Sequence, residues 1–404
     1  MSSIVDVLTR LGLADRVPAE VLADPYAALL PTPITSDPFF VDPAPADTPP
    51  TEVPPGTVLR SRERTGRVPR PRTRLRQFAV ASRDAQGRPV TVTASLMEPR
   101  RPWRGPGPRP VLVHNVAIDS LGSAATPSYR LVHGLGQDFP AVVPLWLQRG
   151  YAVLIVDHEG PRMAYAEGTM AGHAVLDGLR GLPSLDETYR DSPAVMYGYS
   201  GGAIATVWAA QLQPHYAPEV PLIGAIAGGT PTNVGLLRET MNGTIASGLF
   251  GAAVIGLARE HEALAGEFGP LGLYLATRIK NLSVIPLALG GLARLPLEAL
   301  AHDPNVFDSP VARGDRRQHS RSRRADRTVR VLPRRAGPLD SRTRRADTGR
   351  RLARAGRGRR GPPRRRRSLR GVGVRPSVRD AVGGRAIHDS VNNRVCDSVI
   401  HHAA

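Results

Sequence analysis

The sequence predicts an α/β protein with a mostly parallel β-sheet and a helical cap, and two patterns support this prediction. From residue 109 onward, short runs of apolar and β-branched residues alternate with segments of helical spacing. Consecutive parallel strands need a crossover connection, which a helix supplies, so this alternation favours a parallel sheet. Residues 231 to about 300 are rich in Ala, Leu and Gly and show no clear strand pattern, which suits a helical cap above the sheet.

The chain before this region predicts two further elements. Residues 1–55 are Pro-rich and predict an N-terminal arm, with a short helix followed by an extended segment. Residues 76–98 predict a β-hairpin, because the strand-forming residues 77–81 and 90–96 flank a polar turn that contains Gly87.

The α/β region itself divides into strands and helices in order. Its predicted strands cover residues 110–116, 152–156, 194–199 and 222–227. Its predicted helices cover residues 141–149, followed by Gly150 as a C-cap, 172–182 and 203–212. We therefore expect one domain over residues 56–312, with the cap at about 231–300.

The charge of the chain is concentrated in its last segment. The 404 residues carry a formal net charge of +19, but residues 311–404 alone hold 28 Arg and 7 Asp, with no Lys or Glu. A block of like charge is typical of disordered segments, so residues 313–404 are expected to form a disordered basic tail. Binding of nucleic acid or an acidic surface through this tail is one alternative function. Its lack of interleaved aromatic residues and of a recognised motif argues against specific nucleic-acid binding.

Cysteine content and apolar segments bear on the compartment. Cys396 is the single cysteine, so no internal disulfide can form. Charged residues interrupt residues 1–20, which therefore lack the pattern of a signal peptide. Residues 282–297 are the most apolar stretch, but Gly and Pro break it, and it is shorter than the roughly 20 residues of a spanning helix. These observations predict a soluble protein, cytoplasmic by default, with no transmembrane segment.

The strongest chemical signal is the pentapeptide Gly-Tyr-Ser-Gly-Gly at residues 198–202. It fits the G-x-S-x-G pattern and lies after a predicted strand and before a predicted helix, where a nucleophilic serine sits on a sharp turn. The N–H of Gly201 would begin the helix and point at a developing oxyanion, where the helix dipole adds stabilisation. We therefore predict Ser200 as a nucleophile, with an ordinary Gly-rich turn as the alternative.

A second oxyanion donor is expected in residues 114–122, because this loop follows the first parallel strand. Asp119 is the residue of interest there. Its backbone N–H, with or without its side chain, could face the oxyanion. The alternative is a loop or N-cap aspartate that makes an Asx turn, and spacing alone does not separate the two.

These residues, taken together, resemble the secretory lipase family. The resemblance covers about residues 25–312 and depends on several stretches that occur together, namely residues 55–62, 117–122, 127–129, 156–161, 171–178, 198–203, 213–219 and 227–231.

The resemblance implies an α/β-hydrolase with a helical cap that hydrolyses triacylglycerols or simpler carboxylic esters. It implies an oxyanion hole made by Asp119 and Gly201, contact with lipid, and a family that is often exported. It gives His158 and His173 structural roles. No metal-ligand cluster, P-loop or dinucleotide fingerprint is present, so we expect no cofactor and no metal. A peptidase or acyltransferase on the same fold is the alternative enzyme, since the elbow does not distinguish ester from amide.

The resemblance stops near residues 311–313, before the rest of a catalytic triad. A serine nucleophile needs an acid and a His base, which follow it in the order Ser, Asp, His. The family carries the acid in a His-Gly-x-x-Asp-type segment and the His in a later loop, and neither segment occurs here. The acid and the base are therefore unassigned. No spacing directs the histidines of the tail at Ser200, namely His319, His388, His401 and His402.

A single-base slip near codon 313 would explain this loss. One permitted set of codons for residues 331–342, read one base later, encodes Ser-Phe-His-Gly-Ala-Leu-Asp-Pro-Ser-Ile-Pro, which resembles the acid segment. The same shift over residues 367–374 encodes Val-His-Ser-Glu-Ala-Trp-Ala, which resembles the His loop. We therefore hypothesise that the tail is out of frame, that the sheet is truncated at its C-terminal part with apolar faces uncovered, and that turnover is impaired. The nucleotide sequence of the gene tests this hypothesis.

Overall fold

The structure is a computed structural model, and it describes residue 7 and residues 10–41, 53–64, 73–134, 142–232, 234–303 and 305. All of these residues lie in the unit Met1–Leu332. The Arg-rich segment at 313–404, predicted to be disordered, lies outside the described residues.

A mixed sheet forms the centre of the described part, and it holds seven strands in the order β1-β2-β3-β5-β4-β6-β7. The first three strands and β5 pair in antiparallel fashion, whereas β5, β4, β6 and β7 pair in parallel. This arrangement confirms the predicted mostly parallel α/β sheet. The strands are β1 (Val58–Arg64), β2 (Thr73–Arg83), β3 (Pro89–Pro99), β4 (Val111–Asn115), β5 (Ala152–Val156), β6 (Ala194–Tyr199) and β7 (Leu222–Gly228).

The predicted hairpin is present as β2 and β3, and its strands are longer than expected. At its turn Asp84 Oδ1 accepts hydrogen bonds from the backbone amides of Gln86 and Arg88, both at 2.8 Å. Gly87 adopts a φ of +80°, which favours glycine. Strand β1 was not predicted, because its sequence Val-Leu-Arg-Ser-Arg-Glu-Arg lacks a run of apolar residues.

Helices connect the parallel strands, and the helices between residues 231 and 300 build the cap. The described helices are α1 (Ala19–Ala23), α2 (Pro25–Leu29), α3 (Pro127–His133), α4 (Val142–Arg149), α5 (Gly168–Arg180), α6 (Leu182–Leu185), α7 (Gly201–Tyr216), α8 (Val234–Met241), α9 (Ser247–Ala258), α10 (Glu262–Ala265), α11 (Pro270–Ile279) and α12 (Val284–Gly290). Short 3₁₀ turns lie at Ala14–Arg16, Pro38–Phe40, Ser123–Ala125, Glu187–Tyr189, Gly291–Ala293 and Leu297–Ala299.

Helix α5 begins four residues before the predicted start at residue 172. Glu167 caps it, since its Oε2 accepts a hydrogen bond from the Met170 amide at 2.6 Å. Glutamate is not among the usual N-cap residues, so the sequence did not mark this start. Helix α5 packs closely on α7, because a Cβ on Gly172 would lie only 3.0 Å from the backbone carbon of Trp208.

The main core lies between the sheet and the helices that cover it. Its fully buried side chains include Phe78, Leu96 and Leu154 from the sheet and Val175 and Leu176 from α5. Apolar side chains from both layers leave water here, which supplies the principal stabilising free energy.

A second core joins the cap to the N-terminal segment. It gathers Leu29, Leu121, Ile255 and Leu273, among other residues. The predicted extended arm is therefore replaced, over residues 10–41, by short helical segments of which α1 and α2 contact the cap helix α11. Pro-rich composition did not indicate this packing, because prolines at the first turns of α2 and of the segment Pro38–Phe40 fit helix starts equally well.

Strand β7 is the edge of the described sheet beyond β6, and its Ile223 side chain is half exposed. The hypothesis of uncovered apolar faces concerns this edge, and the residues after 305 that would test it lie outside the described residues. None of the helices that the structure describes is long and apolar enough to cross a membrane.

Candidate active site

Ser200 occupies the turn between β6 and α7. Its backbone has a φ of +53° and a ψ of −120°, a strained conformation for a residue other than glycine. The Ser200 amide donates to the Gly228 carbonyl on β7 at 2.9 Å, and the Ser200 carbonyl accepts from the Ala203 amide at 2.9 Å. The serine is thus fixed on both sides at a strand-to-helix corner, as the pentapeptide predicts.

Two glycines make this corner possible through close backbone contact. A Cβ on Gly198 would lie 2.2 Å from the Gly202 carbonyl oxygen, and a Cβ on Gly202 would lie 2.1 Å from the carbonyl oxygen of Asn115. Real Cβ atoms do not approach backbone that closely. The glycines at 198 and 202 therefore bring the start of α7 against the end of β4, from which the neighbouring loop leaves.

That loop carries Asp119, which adopts a φ of +47°. A Cβ on Gly201 would lie 1.8 Å from Asp119 Oδ1, so the aspartate side chain lies directly against the first residue of α7. This oxygen is buried and has no hydrogen-bond partner within the described residues. Burial raises the pKa of the Asp119 carboxyl group to about 6. The structure therefore brings together all three residues singled out in the sequence, Ser200, Gly201 and Asp119.

The loop after β4, residues 116–122, is held by contacts on both sides. Ser120 Oγ donates to the Ile118 carbonyl at 2.6 Å and accepts from the Val284 amide at the start of α12 at 3.0 Å. The Leu121 amide donates to the Leu282 carbonyl at 2.9 Å. The loop position is thus linked to the cap.

His158 supports the beginning of the same loop. Its Nε2 bonds the Val116 carbonyl at 2.8 Å, and burial lowers the pKa of the imidazole to about 4. The neutral ring must carry its proton on Nε2 to donate this bond. His173 lies elsewhere, with Nδ1 3.2 Å from the Arg83 carbonyl oxygen and the ring stacked on Tyr216.

Glu159 was not singled out from the sequence, although it lies in the matched stretch 156–161. It is buried, and its Oε2 has no hydrogen-bond partner within the described residues. Burial and the proximity of Asp119 raise the pKa of this group well above its ordinary value, while the Arg259 guanidinium opposes that rise. A buried carboxyl next to the end of a central strand was the available signal.

No hydrogen bond joins the Ser200 hydroxyl to a histidine within the described residues, so a general base is not found there. In the same part of the chain, no group of three or more His, Cys, Asp or Glu side chains is placed to hold a metal ion. The arrangement thus places Ser200, Gly201 and Asp119 together at one corner of the sheet.

Comparison with known proteins decides the family. The secretory lipase family model matches residues 134–269. The "Probable inactive lipase" of Mycobacterium tuberculosis is 33% identical over 316 residues, which span 72% of this chain and 68% of that protein. The chain belongs to the secretory lipase family. Another family member, Lipase 4 of Candida albicans, is 34% identical over 60% of this chain.

Solved structures agree with this assignment. The secretory lipase chain superposes on Candida antarctica lipase A in its closed state with a TM-score of 0.63 and 28% identity, over 70% of this chain and 68% of that chain. The fold is therefore that of the α/β-hydrolases. The rice cell wall degrading esterase LipA from Xanthomonas oryzae, 18% identical with a TM-score of 0.50, shares the fold. The chain spans about half the length of the first curated relatives, 54% of Lipase 4 and 40% of the secreted triacylglycerol lipase LIP3 of Malassezia restricta.

Proposed function

We propose that this secretory lipase has the architecture of a carboxylic ester hydrolase, with triacylglycerols or simpler esters as substrates and Ser200 as nucleophile. The observation that carries the proposal is the position of Ser200 at a strained corner, with the Gly201 amide and the Asp119 side chain beside it. The family and its lipase relatives support the substrate class.

The reaction would proceed in two halves. Ser200 Oγ attacks the ester carbonyl carbon, and the carbonyl oxygen becomes an oxyanion next to the Gly201 amide at the start of α7, where the helix dipole is positive. The C–O bond of the ester then breaks, and the alcohol leaves with a proton while the acyl group stays on Ser200. Water hydrolyses this acyl-enzyme. Each oxyanion donor of this type contributes roughly 3–4 kcal/mol to lowering the barrier.

We further propose that turnover is impaired because residues 313–404 are read out of frame. The composition change near residue 311 and the loss of both triad segments support this. Oxyanion donors and substrate binding alone leave only about 10³–10⁴-fold acceleration over water. The nucleotide sequence around codon 313 tests the frame: an uninterrupted frame in close relatives that encodes the same Arg-rich segment would contradict it.

An added base tests the nucleophile in the chain as it exists. We expect imidazole to accelerate hydrolysis of p-nitrophenyl butyrate by the full chain, because it supplies a proton acceptor that the described residues do not place beside Ser200. Ser200→Ala should abolish this acceleration, whereas the matched control Ser184→Ala, on the exposed surface of α6, should keep it. Equal acceleration with Ser200→Ala would reject the proposed nucleophile. Comparison with the palmitate ester then separates a lipase from a short-chain esterase.

We also propose that the outer face of α12 contacts a lipid surface. Residues 281–293 contain no charged residue. Ile285, Leu289 and Leu292 are 70%, 59% and 72% exposed and recur at helical spacing, so they form one apolar surface. Lys280 and Arg294 flank this stretch, where cations complement phosphate groups of a phospholipid.

Binding to phosphatidylcholine vesicles in high salt tests this contact, since salt screens attraction by the Arg-rich segment. The double variant Ile285→Asp with Leu289→Asp should bind the vesicles at least about 10-fold more weakly, because each Ile or Leu side chain buried in lipid contributes roughly 1.5–3 kcal/mol. The control Leu22→Asp alters an exposed leucine of α1 and should bind as the unaltered chain does. Equal loss in both variants would contradict a contact specific to α12.

A further inference from the structure

We propose that Asn115 and Thr206 are positioning residues of the candidate site: the hydrogen-bonded pair that they form inside the core holds the start of α7, and with it Ser200, at the end of β4. This inference rests on the proposed hydrolase function. Neither residue of the pair was singled out from the sequence. Both act through the backbone of α7 and not on the reacting atoms.

The pair joins a strand to a helix. Asn115 is the last residue of β4, and Thr206 lies in the second turn of α7. Asn115 Nδ2 donates to Thr206 Oγ1 at 2.8 Å, and Thr206 Oγ1 donates to the Gly202 carbonyl at 2.9 Å. A threonine hydroxyl has one hydrogen, which Gly202 receives here, so the asparagine must be the donor of the other bond. The two bonds therefore form one continuous path from β4 to the first turn of α7.

The glycines on both sides of Ser200 pack directly on this pair. A Cβ on Gly202 would lie 2.1 Å from the Asn115 carbonyl oxygen, and a Cβ on Gly198 would lie 2.7 Å from Thr206 Oγ1. Asn115 is also the partner of Gly198 in the register of β4 and β6. The pair thus lies immediately beneath the strand-to-helix corner.

Stability alone does not account for a polar pair at this place. Asn115 and Thr206 are 1% and 0% exposed, and the next positions on the same faces of β4 and α7, Val113 and Ala209, belong to the apolar main core. Asn115 Oδ1 is buried without a hydrogen-bond partner within the described residues. Such an atom costs free energy, whereas two apolar side chains of similar shape would avoid that cost. What the polar pair adds is a directional attachment.

This attachment completes the fixation of the corner. The Ser200 amide is bonded to Gly228 on β7, and the Ser200 carbonyl accepts from the Ala203 amide in α7 itself. The pair adds a bond to β4, the strand from which the loop 116–122 leaves. A shift of about 1 Å at a reacting atom can cost about 100-fold in rate. The reactivity of Ser200 should therefore depend on the pair.

The rate of covalent labelling tests this dependence. A fluorophosphonate forms a bond from phosphorus to Ser200 Oγ, fluoride leaves, and added imidazole takes the proton. Thr206→Val removes the hydroxyl at nearly constant shape and should slow this labelling about 10-fold or more. Thr206→Ser keeps the hydroxyl and should label at nearly the rate of the unaltered chain. Asn115→Ala should be slow as well, and its combination with Thr206→Val should be no slower than Thr206→Val alone, because both changes break one path. Independent, multiplying losses would overturn the shared path.

A control variant separates positioning from stability. Val175 is fully buried on α5 in the main core, so Val175→Ala lowers the urea midpoint and leaves the polar pair intact. We expect this variant to label at nearly the unaltered rate in native buffer. Equal slowing in Val175→Ala and Thr206→Val would overturn the positioning role, because lost stability would then explain both.

Hydrogen exchange tests the attachment without any chemistry at Ser200. In the full chain, Thr206→Val should speed amide exchange of residues 198–207 about 10-fold or more relative to residues 168–180 of α5, whereas Thr206→Ser should not. Unchanged exchange in Thr206→Val would overturn the attachment. Faster exchange in that variant, combined with no labelling of Ser200 in the unaltered chain, would reject the proposed nucleophile and leave the attachment standing.

Discussion

Arg259 should be the most sensitive buried side chain outside the candidate site. It follows helix α9 and is fully buried, which is rare for arginine. Its guanidinium donates hydrogen bonds to five backbone carbonyl groups from four separate parts of the chain, at 2.8 to 3.0 Å. These belong to Leu29, Leu121, Arg162, Met163 and Lys280. One side chain therefore links the N-terminal segment, the loop after β4 and the cap.

Arg259→Met keeps much of the side-chain volume and removes all five bonds. Charge-assisted hydrogen bonds contribute about 1.5–3 kcal/mol each, but they do not add, because arginine also loses hydration on burial. We expect the free energy of unfolding to fall by about 3–5 kcal/mol, the usual loss when one partner of a buried charged contact is removed. Urea unfolding followed by tryptophan fluorescence measures this change.

The matched control is Arg294→Met, which alters an exposed cap arginine that makes no ion pair with another described residue. It should change stability by less than about 0.5 kcal/mol. A loss below about 1 kcal/mol for Arg259→Met, or equal losses in the two variants, would refute the structural role given to Arg259.

Two further predictions concern the backbone corner and pH. Gly202→Ala should lower the free energy of unfolding by about 3 kcal/mol, because the added Cβ would lie 2.1 Å from the Asn115 carbonyl oxygen. The control Gly290→Ala adds a Cβ with no atom within 4 Å, and the same urea assay should show a change within about 1 kcal/mol. The folded-state pKa of His158 lies at about 4, below 6.5, so the unfolded state binds more protons and stability falls as pH drops from 6.5 to 4. His158→Gln should remove roughly 3 kcal/mol of this pH dependence, at about 1.4 kcal/mol per pKa unit. Identical urea midpoints against pH in both proteins would contradict this prediction.

Most of the parallel sheet could be predicted because each strand is a short β-branched run between helical segments. The predicted 194–199 and 152–156 agree with the observed strands at both ends. Strand β1 could not be found, since its stability comes from pairing with β2 and not from apolar residues of its own. The packing of residues 10–41 on the cap could not be predicted from the sequence either, because it depends on Arg259 and on contacts across more than 200 residues of sequence.

The candidate site was predictable where local spacing determines geometry. The G-x-S-x-G pattern places Ser200 and Gly201 within one turn, and the strand before residue 116 places Asp119 nearby. Glu159 was missed because its position beside Asp119 follows from the pairing of β4 with β5, a tertiary relation that spacing does not contain. The same holds for the bond between Ser120 and the start of α12.

Covalent labelling of the folded full chain tests the central claim most directly. With imidazole present, a fluorophosphonate should form a bond between its phosphorus and Ser200 Oγ with loss of fluoride, and tandem mass spectrometry should locate the added mass on the peptide that contains Ser200. We expect no such label in Ser200→Ala or in urea. Labelling of other serines in preference to Ser200, or equal labelling of the unfolded chain, would contradict a nucleophile made by the fold.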